Sequence, residues 1–191
     1  MEQQAKALVL LAEGFEEIEA ICPIDLLRRS GIQTLVVSCG EAIDIVGRSG
    51  ISVKADALLA DTQSRDFNLL VLPGGPAVFS LRDRNDVLEL IRRHHSRGAI
   101  IGAICAAPLL LLDAGILNGA RYTAHETVSR ELTAIDAQEK VVVDGGLVTS
   151  RGAGTALEFS LSLISEVRGV EAANEISRSI HYPSMNANEG L

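Results

Sequence analysis

Tryptophan is absent from the 191 residues, and only 3% of them are aromatic. A hydrophobic fraction of 47% must therefore build an aliphatic core, which suits a sheet of Val, Ile, Leu and Ala covered by helices. Basic residues are outnumbered, 17 Lys and Arg against 25 Asp and Glu, for a formal charge of −8. That balance argues against a general affinity for nucleic acid or for an anionic membrane, while leaving room for a local basic site. Cysteine is scarce: three, widely spaced, give neither a disulfide framework nor a CxxC metal motif. The adjacent His94 and His95, set among Arg92, Arg93 and Arg97, read as a solvated helix face rather than as metal ligands. No apolar run approaches the roughly 20 residues that span a bilayer. No signal peptide is visible in residues 1–6, so the chain reads as cytoplasmic. No repeat, low-complexity tract or linker interrupts it, and residues 1–191 read as one domain.

What is present is organised around residues 99–108, Ala-Ile-Ile-Gly-Ala-Ile-Cys-Ala-Ala-Pro. A β-branched run leads into Cys105, then into small residues and Pro108, and Leu109 to Leu112 follow as a helix. This is the pattern of a buried parallel strand, a sharp turn and a helix start. Such turns hold nucleophiles above the carboxyl edge of a sheet and demand small neighbours, which Ala103, Ala106 and Ala107 supply. The helix dipole would favour a thiolate at Cys105. The alternative is a buried packing cysteine.

Residues 7–12 read as the first parallel strand, and a helix runs from Glu16 to about Ser30, with Glu16 and Glu17 in its first turn. Ile18, Cys22 and Leu26 recur at helical spacing and are expected on its core side. Pro23 predicts a kink and Gly31 a helix end. Residues 33–38 are the second strand of a βαβ unit. Residues 39–60 suit a small β-excursion, and Cys39, following a strand, is free to be exposed but has no neighbour that activates a thiol. Residues 67–72 form another buried strand ending in Pro73-Gly74-Gly75-Pro76, either a plain loop or an anion-stabilising turn. A helix follows over 86–97. Residues 121–124 read as a short strand with His125 at its end, and residues 141–143 and 147–149 as a hairpin. Residues 150–155 form a glycine-rich turn without the Gly-Lys-Ser/Thr ending of a phosphate loop. Two helices, near 156–167 and 171–180, and a polar tail close the chain.

Parallel topology brings Gly14 to Glu19, Pro73-Gly74-Gly75, Cys105 and His125 to one sheet edge. Glu-Gly-Phe-Glu-Glu-Ile-Glu at 13–19, Arg-Arg-Ser-Gly-Ile at 28–32, Leu-Pro-Gly-Gly at 72–75, Ala-Ile-Cys-Ala-Ala-Pro at 103–108 and Thr-Ser-Arg-Gly-Ala-Gly-Thr at 149–155 stand in order along the chain. Together they resemble the ThiJ/PfpI superfamily, and within it the Parkinson-protein (DJ-one)-like branch, over essentially the whole length. The resemblance implies a class I glutamine amidotransferase-like fold, a flavodoxin-like three-layer α/β/α sandwich with a mostly parallel sheet. It implies that Cys105 is the reactive cysteine, that Glu19 is the carboxyl group against its sulfur, and that Gly75 and Ala106 supply oxyanion-binding N–H groups. It also matches His125 to a nearby histidine, and Arg29 and Arg48 to arginines near a homodimer interface. The residue after Cys105 is Ala106 where PfpI-type proteases have histidine, which weakens a peptidase reading.

The implied activity is that of a cysteine-dependent enzyme on small reactive carbonyls, a glutathione-independent glyoxalase or a deglycase, with Glu19 as proton shuttle and with neither metal nor organic cofactor. A protonated Glu19 could donate to the thiolate and later exchange its proton. The rival is an oxidative-stress sensor or redox-regulated chaperone in which oxidation of Cys105 is the event, since it needs the same thiolate. An isonitrile-hydratase-like activity stands third.

Overall fold

The structure, a computed structural model, describes residues 4–62 and 64–183, so residues 1–3 and most of the polar tail lie outside the described residues. Strands β1 (Lys6–Leu11), β2 (Gln33–Ser38), β5 (Ala57–Leu58), β6 (Leu69–Leu72), β7 (Ile100–Ile104), β8 (Val141–Asp144) and β9 (Leu147–Ser150) form one sheet in the order β5-β2-β1-β6-β7-β9-β8. All neighbours are parallel except β8 and β9, which are the expected hairpin at the edge. Helix α1 (Glu17–Arg29) connects β1 to β2. Helices α2 (Ala77–Leu81) and α3 (Asn85–Ser96) connect β6 to β7. The two connections run in opposite directions along the sheet, so right-handed crossovers place them on opposite faces. Helix α5 (Ala156–Arg168) packs with α1 and with α6 (Val170–Ser179), while α4 (Pro108–Asp113) packs with α2 and α3. The result is a flavodoxin-like α/β sandwich.

The strand order reverses between β1 and β6, and the crevice outside the carboxyl ends of two such strands is where open α/β sheets take ligands. Buried on both faces, the central strands are continuously aliphatic: Ala7 to Leu11 and Leu69 to Leu72 are each at most 2% exposed. The small antiparallel excursion is β3 (Asp44–Val46) with β4 (Ser52–Lys54).

Several local expectations are corrected. Residues 121–124 are not a strand: Tyr122 makes an isolated bridge to Ile135, and the Thr123 N–H goes to the Thr149 side chain. Ile18 is 56% exposed, because α1 turns its Ala20, Ile24 and Leu27 side to the core. Cys39 is buried, not exposed, and its carbonyl accepts from Arg84 Nη1 at 2.6 Å. His94 is buried, not solvated, in the side of α3 that meets the sheet. Helix α1 continues through Pro23, and Cys22 packs half-buried against the core as expected.

Candidate active site

Three strand ends build the site. After β1 the chain turns at Gly14 and Phe15, and Glu16 becomes the N-cap of α1, its Oε2 accepting the Glu19 N–H at 2.8 Å. The Glu16 N–H donates to the Gly74 carbonyl at 3.0 Å, tying α1 to the turn after β6. Glu19, only 1% exposed, accepts the Gly74 N–H at 2.9 Å. A Cβ at Gly74 would stand 2.6 Å from Glu19 Oε2 and 2.7 Å from Cys105 Cβ, so the bare backbone of this residue lets carboxyl and cysteine close on each other. Gly75 has φ +93°, and a Cβ there would meet the Gly14 carbonyl oxygen at 2.5 Å. In the Leu-Pro-Gly-Gly turn the Gly74 N–H goes to Glu19 and the Gly75 N–H acts on the Cys105 sulfur.

Cys105 has φ +66°, a left-handed conformation that costs about 1–3 kcal/mol for a residue with a side chain. Both backbone groups of Cys105 are held: its N–H donates to the Ser150 carbonyl at 2.9 Å, and its carbonyl accepts the His125 N–H at 2.9 Å. The strain aims the thiol over the sheet edge, where the N–H groups of Ala106 and Gly75 face it.

Glu19 and Cys105 titrate as a pair. Burial, then the neighbouring Glu16 charge, raises Glu19 to about 7, against hydrogen bonds to Cys105 and Gly74 and the positive charge of Arg48. Burial, then the Glu19 charge and hydrogen bond, pushes the Cys105 thiol up to about 12, against the Ala106 and Gly75 N–H groups. The lowering expected from the helix dipole is outweighed while Glu19 is charged. Helix α4 spans only six residues, and its dipole does not offset burial beside a carboxylate. When Glu19 carries the proton, its carboxyl becomes a donor toward sulfur and its charge vanishes. A thiolate at Cys105 therefore goes with a neutral Glu19.

The other expected site residues are placed unevenly. The His125 ring lies against Gly152, where a Cβ would be 3.4 Å from His125 Cδ2 and 3.7 Å from Glu19 Oε1. His125 Nδ1 accepts the Thr127 N–H at 3.2 Å, which leaves Nε2 as the nitrogen free to face a ligand. Arg48 is exposed but close enough for its charge to act on Glu19. Arg29 is not part of this cluster: it sits ten residues along α1, about 15 Å at 1.5 Å per residue, ion-paired to Asp25 at 2.7 Å.

In the sequence Glu16 and Glu17 read only as first-turn acids. Glu16 caps the helix, and buried Glu17 accepts the Ser49 N–H at 2.7 Å, clamping the β3–β4 turn to α1. Burial opposes its charge, but hydrogen bonds from Ser49, its own backbone and Ile51 hold it below the usual carboxylate range. The acidic run 13–19 carried a signal, but only the fold divides the roles. Among the described residues no three His, Cys, Asp or Glu side chains gather as a metal-ligand set.

A sequence model of the DJ-1/PfpI family matches residues 5–166. Protein DJ-1 homolog A of Arabidopsis thaliana is 37% identical over 175 residues, 89% of this chain and 45% of that relative, so the chain spans about half that protein's length. The Caenorhabditis elegans protein named glutathione-independent glyoxalase DJR-1.2 is 35% identical over 185 residues, covering 94% of this chain and 98% of that one. The crystal structure of Drosophila melanogaster DJ-1beta superposes with a TM-score of 0.90 at 33% identity, over 95% of this chain and 100% of that one. With the elbow cysteine, the buried glutamate and the sheet topology alongside, the chain belongs to the DJ-1/PfpI family.

Proposed function

We propose that the protein is a glutathione-independent glyoxalase, converting small 2-oxoaldehydes to 2-hydroxy acids with Cys105 as nucleophile and Glu19 as proton shuttle. The observation that carries this reading is the Cys105–Glu19 pair closed around Gly74, with two backbone N–H groups on the sulfur side. In the form with the proton on Glu19, the thiolate adds to the aldehyde carbon. The developing oxyanion takes hydrogen bonds from the Gly75 and Ala106 N–H groups and then the Glu19 proton, giving a hemithioacetal. The Glu19 carboxylate removes the hydrogen of the former aldehyde carbon, forming an enediolate, and returns a proton to the adjacent carbon. The aldehyde carbon is thereby oxidised and the ketone carbon reduced, with no external redox partner. Water hydrolyses the resulting thioester and frees the acid and the thiol. His125 Nε2 assists proton movement at the enediolate oxygens.

A second copy of the chain completes the assembly in this reading. Ile18, Ile21, Val46 and Ile51 are 56%, 42%, 42% and 57% exposed on α1 and the β3–β4 excursion, an apolar set suited to self-association, with Arg48 among them. The deciding experiment measures lactate formed from methylglyoxal by metal-free protein without glutathione. Lactate is expected from the native chain and none from Cys105→Ser. Equal lactate from both, or none from either while peroxide-treated protein protects clients from aggregation, transfers the role to oxidation of Cys105.

A further inference from the structure

Beside the reacting pair lies a hollow of about 510 Å³ whose wall includes His125, Lys140, Arg151, Gly152 and Thr155. Its wall adjoins the site. The Ser150 carbonyl holds the Cys105 N–H at 2.9 Å, Arg151 is the next residue, and Gly152 borders both the His125 ring and Glu19. The turn is fixed: Thr155 Oγ1 lies 2.6 Å from Ser150 Oγ and 2.9 Å from the Gly152 carbonyl oxygen, and takes the Gly152 N–H at 3.2 Å.

The cations in this hollow differ. Lys140 is committed to Glu158 at 2.9 Å. Arg151 is half-buried and makes no hydrogen bond or ion pair among the described residues. Elsewhere in the chain Arg82, Arg84 and Arg97 are each tied to a carboxylate. A guanidinium removed from much of its water and given no partner is a planar two-point receptor for an anion. Glu126 also lines the hollow as an exposed carboxylate and limits the positive charge there. One available cation against that background suits a singly charged carboxylate better than a doubly charged phosphate ester.

We propose that Arg151 forms a carboxylate subsite beside the Cys105–Glu19 pair, and that the preferred substrates are 2-oxoaldehydes bearing a carboxylate a few bonds beyond the ketone. The substrate part of this inference rests on the glyoxalase reading. The aldehyde carbon meets Cys105 as before, the chain passes His125, and the far carboxylate meets Arg151. The overall change is again internal: 4,5-dioxopentanoate and water give 2-hydroxyglutarate, with the aldehyde carbon oxidised and the ketone carbon reduced.

The test compares kcat/KM for 4,5-dioxopentanoate with that for 2-oxohexanal, which has similar length and no charge. The native chain is expected to favour the acid at least tenfold. Arg151→Gln lowers that ratio at least tenfold, mainly through KM for the acid, and Arg151→Lys recovers part of it. A ratio unchanged by Arg151→Gln overturns the proposal. Binding of glutarate to Cys105→Ser protein, measured by calorimetry, reads the subsite without turnover. Glutarate is expected to bind, and adding Arg151→Gln weakens binding at least tenfold. Absence of binding, or binding indifferent to Arg151, overturns the subsite. Arg151-dependent glutarate binding without turnover of either aldehyde supports the subsite and removes the glyoxalase reading.

Discussion

At the amino ends of the parallel strands, His94 is as buried as Glu19 is at their carboxyl ends, each 1% exposed. Their surroundings differ. His94 Nδ1 faces the Leu90 carbonyl at 2.9 Å and Nε2 accepts the Phe67 N–H at 3.3 Å, so one neutral tautomer satisfies both. Around it a broad hollow of about 1250 Å³ carries the ion pairs Arg28–Asp56 and Arg97–Asp66. Glu19 and Cys105 share one region of low dielectric in which both cannot ionise together. The larger hollow pairs these arginines with carboxylates, whereas Glu19 and Cys105 set two acids against each other. The unsettled pair, not the larger volume, marks the candidate site.

The largest effect should come from filling the gap at Gly74. Gly74→Ala places a Cβ 2.6 Å from the Glu19 carboxylate and 2.7 Å from Cys105 Cβ, so one must move. Lactate formation should fall by about 10²–10³, the scale of losing an oxyanion donor. An unchanged circular dichroism spectrum would locate the loss in the site, and activity within threefold of native would break the contrast.

Glu19→Gln sharpens it next. A carboxyl raised from 4.5 to about 7 stabilises the fold fully below pH 4.5, and that contribution is lost as pH rises through 7, about 3 kcal/mol in all. The native chain should therefore lose stability over this window relative to Glu19→Gln, as read by urea denaturation at several pH values. Alkylation of Cys105 should show an inflection near pH 7 in the native chain and none in the variant. Equal profiles would remove the coupling.

His94 gives the smallest effect, with opposite sign. Burial holds its pKa below 6.5, aided by the charges of Arg93 and Arg97 and opposed by the Leu90 bond and Asp66. Its stabilisation is present above pH 6.5 and lost as pH falls through the lower folded value. His94→Gln, which keeps a donor and an acceptor, should flatten this acid limb in a thermal melt and leave lactate formation at the other end within twofold. Coupled loss of activity would mean that the two ends are not independent.

Much of this was legible in the residues. The aliphatic runs of β1, β6 and β7 declare buried parallel strands, because strands covered on both faces have no solvent side to alternate toward. Cys105 among alanines and the Pro73-Gly74-Gly75 turn declare tight backbone at strand ends. Ile18 and His94 were misplaced for a common reason. Helical periodicity says which residues share a face, but which face meets the sheet is decided by packing. Arg151 carried no signal toward a role, since an arginine in a glycine-rich turn is ordinary until its missing partner can be seen.

The sequence by itself determined the architecture and the cysteine elbow, because each depends on local pattern, hydrophobic runs and small residues at a turn, whereas Glu19 stood out among the acids of 13–19 only through the family resemblance. Only the tertiary structure decided which atoms oppose one another. Glu19 and Cys105 are 86 positions apart, and their protonation is set by the shared burial and by Gly74 between them. Charge coupling falls off with distance through a low-dielectric interior. It belongs to the folded chain and to no segment of it.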